Sequence, residues 1–329
     1  MRILFLGGTG NISTACAARL HQQGHEIWIL SRGLKPVPAA YQTITGERRN
    51  LPQLAAQIER AAPEVVLDWI GYEPADLELT HAVFRGRIRQ YVFVSSATVY
   101  QKPAPCLPIT EATPLGNPYW DYAQKKVLCE EWLRQRGRDE GFPFTIVRPS
   151  HTYSHLWIPN PVSSASYSFA ARLERGEPVF VPDDGTSLWT LTAATDFAVG
   201  FAALVGREEA IGEAFHITSD ETLTWRQIVR EIGLAVGVEP EIVPVPTDFI
   251  CQTVPELAGT LQGDKAHSAV FDNTKLRRVL PNFRCVKPFS VGVRESIAWL
   301  REHPADQNLN PKVDARIETV LNRWQLKPK

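Results

Sequence analysis

The segment Leu6-Gly7-Gly8-Thr9-Gly10-Asn11-Ile12-Ser13 constrains this chain more than any other. It follows a short apolar run and opens an amphipathic stretch. A glycine pattern says little alone, but a strand before it and a helix after it make it informative. Gly7 permits the tight turn out of the strand, and Gly10 lets the backbone approach a pyrophosphate closely. The helix starting near Asn11 offers free N–H groups and the positive end of its dipole to phosphates. Gly7, Thr9, Gly10, Asn11 and Ile12 are therefore expected to hold a dinucleotide. The place of a third glycine is taken by Ser13, which is small enough for helix and strand still to pack.

The surrounding sequence supports that frame. Residues 3–6, 26–30, 65–70, 91–95 and 144–148 read as strands, and 12–23, 51–61, 74–84 and 119–136 as helices. Uninterrupted β-branched strands alternating with helices predict a parallel sheet covered on both faces, the doubly wound α/β (Rossmann) fold. Beyond Arg148 prolines break the pattern, which returns at 195–205 and 214–217. The expected organisation is a dinucleotide-binding domain over 1–155, with a returning segment at about 190–218. A smaller mixed substrate domain and a polar tail follow, over 156–189 and 219–329. Residues 240–255 resist assignment, and a last helix is expected over 314–324.

Where a dinucleotide site often carries an acidic residue for the adenosine ribose, this chain has Ser31 and Arg32. A carboxylate repels a 2′-phosphate, whereas Ser31 can donate to it and Arg32 can pair with it in a fork. The expectation is NADP(H) ahead of NAD(H).

The strand at 91–95 ends in the hydroxyl-rich run Ser95-Ser96-Ala97-Thr98, at the carboxyl end where ligands bind in this fold. Tyr122 and Lys126 are four apart on a predicted helix and share one face. A free tyrosine has a pKa of about 10. A nearby ammonium and a cationic cofactor ring would favour the phenolate, and a fall of about 3 units is about 4 kcal/mol of differential stabilisation. Tyr122 could then take a proton from a substrate hydroxyl while Ser96 holds the reacting oxygen and Lys126 the cofactor ribose. A lone Tyr-x-x-x-Lys is common; here it follows the glycine loop and the serine strand in order.

These residues resemble the extended short-chain dehydrogenase/reductase superfamily, in its NAD(P)-dependent epimerase/dehydratase group. The similarity runs from Met1 to about Leu300, through Val147-Arg148-Pro149 and Asp184-Gly185-Thr186. The resemblance implies catalytic roles for Ser96, Tyr122 and Lys126, and a hydride moving between the nicotinamide and a carbinol or ketone carbon of a sugar-like substrate. It implies that Trp69, Ile70 and Gly71 line the cofactor, with Ser95, and that Pro149 and His151 stand near the nicotinamide or substrate. It implies a homodimer through the tyrosine helix, which would bury Cys129 and Trp132. The family's arginine after Asp-Gly is missing from the run at 187–196, which weakens the case for a nucleotide-sugar. Asp196 survives there and reads as a helix N-cap.

The composition narrows the rest. A net charge of −1 gives no electrostatic reason to expect a nucleic-acid partner. Five cysteines without metal-like spacing read as reduced thiols. The opening apolar run reads as a buried strand rather than a signal peptide, and a cytoplasmic protein without membrane contact is expected. His151, His155 and His216 lie on strand ends and loops and read as ordinary polar or core histidines, so no metal is expected. Trp157 and Trp189 could stack on a substrate ring, though core packing is the plainer reading. The competing functional reading is a non-catalytic dinucleotide sensor or RNA-binding relative on the same fold.

Overall fold

The computed structural model describes residues 1–162 and 167–326, and at its centre is a sheet of seven parallel strands. In chain order these are β1 (Arg2–Leu6), β2 (Glu26–Ser31), β3 (Gln42–Thr45), β4 (Val65–Asp68), β5 (Gln90–Val94) and β6 (Phe144–Pro149). After β7 (His151–Tyr153), β8 (Val179–Pro182), β9 (Leu188–Trp189) and β10 (Leu191–Ala193), strand β11 (Ala214–Ile217) completes the sheet. The order across it is β3-β2-β1-β4-β5-β6-β11. The strand sequence reverses between β1 and β4, and that switch point is where open α/β sheets hold ligands. The expected Rossmann class is therefore observed.

Both faces are covered, which explains the continuous apolar strands. Ile3 and Phe5 of β1 pack with Cys16, Leu20 and Phe201 on one face. Leu4 and Leu6 pack with Leu51, Leu77 and Leu133 on the other. Each such side chain contributes roughly 1.5–3 kcal/mol by leaving water. Helices α1 (Ser13–Gln22) and, later, α6 (Ala194–Leu204) cover the first face; α2 (Ala55–Ala61), α3 (Pro74–Phe84) and α4 (Asp121–Glu140) cover the second. Helix α3 occupies the predicted span because its start is doubly marked, by Pro74 in the first turn and a Glu73–Asp76 capping box.

Helix α4 starts two residues later than predicted and ends later. Trp120 is extended, with φ −135° and ψ 113°, so Tyr119 lies outside the helix. Gly137 does not stop it; a Cβ there would come within 2.5 Å of the Phe144 ring, so the glycine lets helix and β6 pack closely. Asp196 does not cap α6, whose N-cap is Ala193. It sits buried in the first turn and accepts the Lys287 N–H at 2.9 Å.

A third cluster gathers outside the sheet. It includes α5 (Ser168–Glu174), α7 (Trp225–Val236), the helix Phe289–Glu302 and the last helix Pro311–Gln325. Short strand pairs join it: β7 with β10, β9 with β12 (Leu223–Thr224), and β8 with β13 (Ile242–Val245). The unassigned stretch at 240–255 thus holds β13 and the helix Thr247–Thr253. The parts interleave: Tyr100 and Ile109 pack in this third cluster, while Leu276 and Phe283 pack under the sheet. Among the described residues no helix is long and apolar enough to cross a membrane.

Candidate active site

Gly7 leaves β1 with φ +76°, and a Cβ there would come within 2.7 Å of Ile70 Cγ2. Glycine is needed on both counts. A Cβ on Gly10 would meet only Ser13 Oγ, at 3.4 Å, so its other side stays open. Ser13 is buried and its Oγ accepts the Gly10 N–H at 2.9 Å, fixing the loop. Helix α1 has no side-chain cap, which leaves its first-turn N–H groups for an anion.

A cleft of about 530 Å³ opens over this loop. Of the expected cofactor residues, Gly7, Thr9, Gly10, Asn11, Ile12, Arg32, Trp69, Ile70, Ser95, Lys126 and Pro149 line it. Ser31 lines an adjoining space of about 730 Å³ with Arg32, Lys35 and Arg49. Ser95 Oγ is buried in the cleft wall without a hydrogen-bond partner among the described residues. The open face of Gly10, the uncapped helix and this free hydroxyl fit a dinucleotide.

Asn11, Gly71 and His151 stand apart from the other expected residues. The Asn11 side chain is not directed to a ligand: its Nδ2 donates to the Thr152 carbonyl at 2.7 Å, and Ser154 Oγ donates to its Oδ1 at 2.6 Å. Gly71 does not line the cleft. It packs where a Cβ would meet Leu77 Cδ1 at 2.9 Å, and its carbonyl accepts from Lys126. His151 faces a second cavity instead, because β7 turns away from the sheet after Pro149.

That second cavity, of about 640 Å³, lies beside the cleft and shares Ile12, Tyr72, Ser95, Tyr122, Pro149 and Trp157 with it. Ser96 lines the cavity, where its Oγ accepts from the Thr98 hydroxyl at 2.9 Å and from the Thr98 N–H at 3.2 Å. Tyr122 is half-buried under Trp120, with ring centroids 5.0 Å apart. Lys126 is buried, and its Nζ donates to the carbonyls of Gly71 and Val94 at 2.7 and 2.8 Å. It stands 5.8 Å from the Tyr122 ring centroid.

The expected acid shift of Tyr122 is not found in the protein alone. Burial pushes the phenol up to about 12, Tyr72 adds to the rise, and a hydrogen bond with Ser96 opposes it. Burial likewise pushes Lys126 down to about 8. Lys126 donates to two backbone carbonyls, and its presence does not offset the burial of the phenol. With that shift the Tyr122 phenol keeps its proton at neutral pH.

Several polar groups were not evident beforehand. Arg48 grips Asp68 at the end of β4 through two bonds of 2.6 Å, and Tyr91 and the Ile70 N–H also donate to Asp68. Lys102, Asp264 and Lys265 are buried on the cavity wall. Trp157 and Trp189 line the cavity as well as packing in it. His155 packs tilted against Trp299, with ring centroids 4.0 Å apart, and His216 is a hydrogen-bonded core histidine.

A seven-stranded Rossmann sheet, a glycine loop and a hydroxyl-lined cavity at its switch point define a dinucleotide-binding α/β protein. The chain belongs to the NAD dependent epimerase/dehydratase family, whose model matches residues 3–218. It is 27% identical to the 2′-dehydrokanamycin reductase of Streptomyces kanamyceticus over 86% of this chain and 80% of that protein. It is 28% identical to the chloroplast stem-loop binding protein of 41 kDa b of Arabidopsis thaliana, over 75% of this chain and 68% of that one. The UDP-glucose 4-epimerase of Bifidobacterium longum, solved with NAD+ and UDP, shares the fold with a TM-score of 0.74 at 18% identity, over 92% and 99% of the two chains.

Proposed function

We propose that this protein is an NADP(H)-dependent oxidoreductase of the epimerase type, acting on a carbinol or ketone carbon of a sugar-like substrate with Tyr122 as acid and base. The observation that carries the reading is that Tyr122 lines both the glycine-loop cleft and the neighbouring cavity. A bound nicotinamide would supply the hydride acceptor or donor. Tyr122, kept protonated by burial, gives its proton to the carbonyl oxygen as a ketone becomes a carbinol, and takes it back in reverse. Ser96 orients that oxygen, and Lys126 holds the ribose from its fixed position below. Residues 1–155 with 190–218 carry the cofactor, and the remainder encloses the substrate. The family resemblance supports a homodimer through α4.

The NADP preference rests on the end of β2. Arg32 and Lys35 are exposed there, beside Ser31; the acidic residues lining the same space, Glu47, Glu73 and Asp76, come from other elements and not from the end of β2. Arg32→Ala should weaken NADP+ about tenfold more than NAD+, the scale of a charge-assisted hydrogen bond. The measurement is protection against heat across a titration of each cofactor. Equal weakening would remove the preference, and no protection of the unaltered protein would remove the cofactor.

The stem-loop binding relative supports a second reading, RNA recognition on the same fold. The net charge of −1 and the Ser96–Tyr122–Lys126 set weigh against it. Stem-loop RNA binding that persists at about 150 mM salt would favour it.

A further inference from the structure

The cavity holds a cluster that proton transfer by Tyr122 does not use. Lys102 and Lys265 are only 4% and 5% exposed on its wall, with one buried carboxylate, Asp264, beside them. Lys102 Nζ lies 3.7 Å from Asp264 Oδ1 and 6.0 Å from the Trp189 ring centroid. His151 Nε2 lies 4.0 Å from Asp264 Oδ2. Neither contact has the length of a good hydrogen bond. Burial pushes both lysines down and Asp264 up, and it holds His151 neutral. Two lysines thus face one acid in a desolvated space, an unbalanced arrangement that folding alone does not favour.

The same wall carries polar atoms that bond nothing among the described residues. The indole N–H groups of Trp157 and Trp189 are buried and unpartnered, as is His151 Nδ1. An indole nitrogen can only donate. The other charged groups lining the cavity, exposed Glu256 and half-buried Arg316, cancel each other. The wall thus sets two buried lysines against one buried carboxylate and adds two indole N–H groups that only donate, so it is weighted toward donors and positive charge.

We propose that this cluster binds an anionic substituent of the substrate, a carboxylate or a phosphate. Lys102 and Lys265 supply the charge, and the two indole N–H groups orient the oxygens. The inference rests on the cavity being the substrate site of the proposed function, and it names the chemical class: a small ring carbinol or ketone that carries an acid group. A neutral sugar would leave the ammonium groups unmatched, and an amino sugar would add a like charge. The aromatic wall suits a ring face and sets the distance between the acid group and the carbon near Tyr122.

The test is titration calorimetry on the protein saturated with NADP+. Four probes are compared: glucuronate, glucose 6-phosphate, glucose and glucosamine. One of the two acids should bind at least about tenfold more tightly than glucose, the scale of hydrogen bonds to charged groups. Which acid wins separates the carboxylate from the phosphate. Lys102→Met and Lys265→Met should each erase that preference while NADP+ still binds, which also reports that the variants are folded. Lys265→Arg should retain it. In the unaltered protein, sulfate should compete with the preferred acid. Equal binding of acids and glucose, a preference for glucosamine, or a preference that survives in both Met variants would overturn the proposal. Repeating the titration without cofactor separates the two readings: acid preference with no NADP+ binding would sink the cofactor assignment and leave the anion site standing.

Discussion

Tyr122→Phe is expected to lower turnover by about 10²–10⁴-fold, the range of general acid–base catalysis, with NADP(H) affinity nearly unchanged. The ring keeps its contact with Trp120, and only the hydroxyl goes. The effect falls on the proton that accompanies hydride transfer, so it should appear in kcat more than in KM. The direction of the tyrosine's shift adds a pH signature. With the phenol pushed up to about 12 by burial, the proton donor form prevails at neutral pH. Ketone reduction should therefore be nearly flat from about pH 6 to 9, whereas carbinol oxidation, which needs the phenolate, should rise with pH across the same range. Steady-state kinetics in both directions would check this. Unchanged turnover in the Phe variant, or an oxidation rate that falls as pH rises, would remove Tyr122 from the mechanism.

The largest loss of stability is expected from Arg48→Met. Arg48 is 6% exposed and Asp68 fully buried, and the guanidinium also donates to the Asp76 carbonyl and the Thr80 hydroxyl. Removing one partner of such a pair costs about 3–5 kcal/mol, because the other charge stays buried and uncompensated. Burial alone would raise the Asp68 pKa; Arg48, with the hydrogen bonds from Tyr91 and the Ile70 N–H, outweighs it and holds the carboxyl below its ordinary range. In the unaltered protein this stabilisation is complete above the ordinary aspartate pKa and is lost as pH falls through the lower folded value. Without Arg48 the folded pKa lies above the ordinary value instead, so the variant loses stability as pH rises through that region. The gap should be widest near neutral pH and narrow toward about pH 4, as read by urea unfolding at several pH values. A gap that ignores pH would contradict it. The Ile70 N–H also donates to Asp68, so the variant should loosen the cleft floor and weaken cofactor binding as well.

The fold was legible where local rules agreed. The glycine loop, the strands around it and the capped start of α3 all carry short-range signals. Strand β3 was missed because Ile44 is its only buried residue, which leaves no apolar run to see. The start of α4 was misplaced because Tyr119 and Trp120 look helical by neighbourhood, yet Trp120 is extended. Order and spacing single out Ser96, Tyr122 and Lys126 as candidates, and the structure sets all three along the cleft and cavity walls. Lys102, Asp264 and Lys265 were not legible, since a buried lysine looks like a surface one in sequence and their meeting depends on the loop after β5 reaching the segment before Phe271. Arg48 and Asp68 were hidden for the same reason. The upward direction of the Tyr122 shift in the protein alone was not legible either, because spacing gives the neighbouring lysine but not the burial that opposes ionisation.

The crosslink from Asn11 reaches further than its two hydrogen bonds. Its backbone belongs to the phosphate loop, and its amide holds Thr152 and Ser154, on and just after the strand that carries His151 into the other cavity. Loop and wall are thereby one mechanical unit. If binding at the loop favours binding at the wall, reciprocity requires the wall's ligand to favour the loop's by the same factor. The two compartments thus share a single asparagine as a common support, so a change of that one side chain would be felt in both.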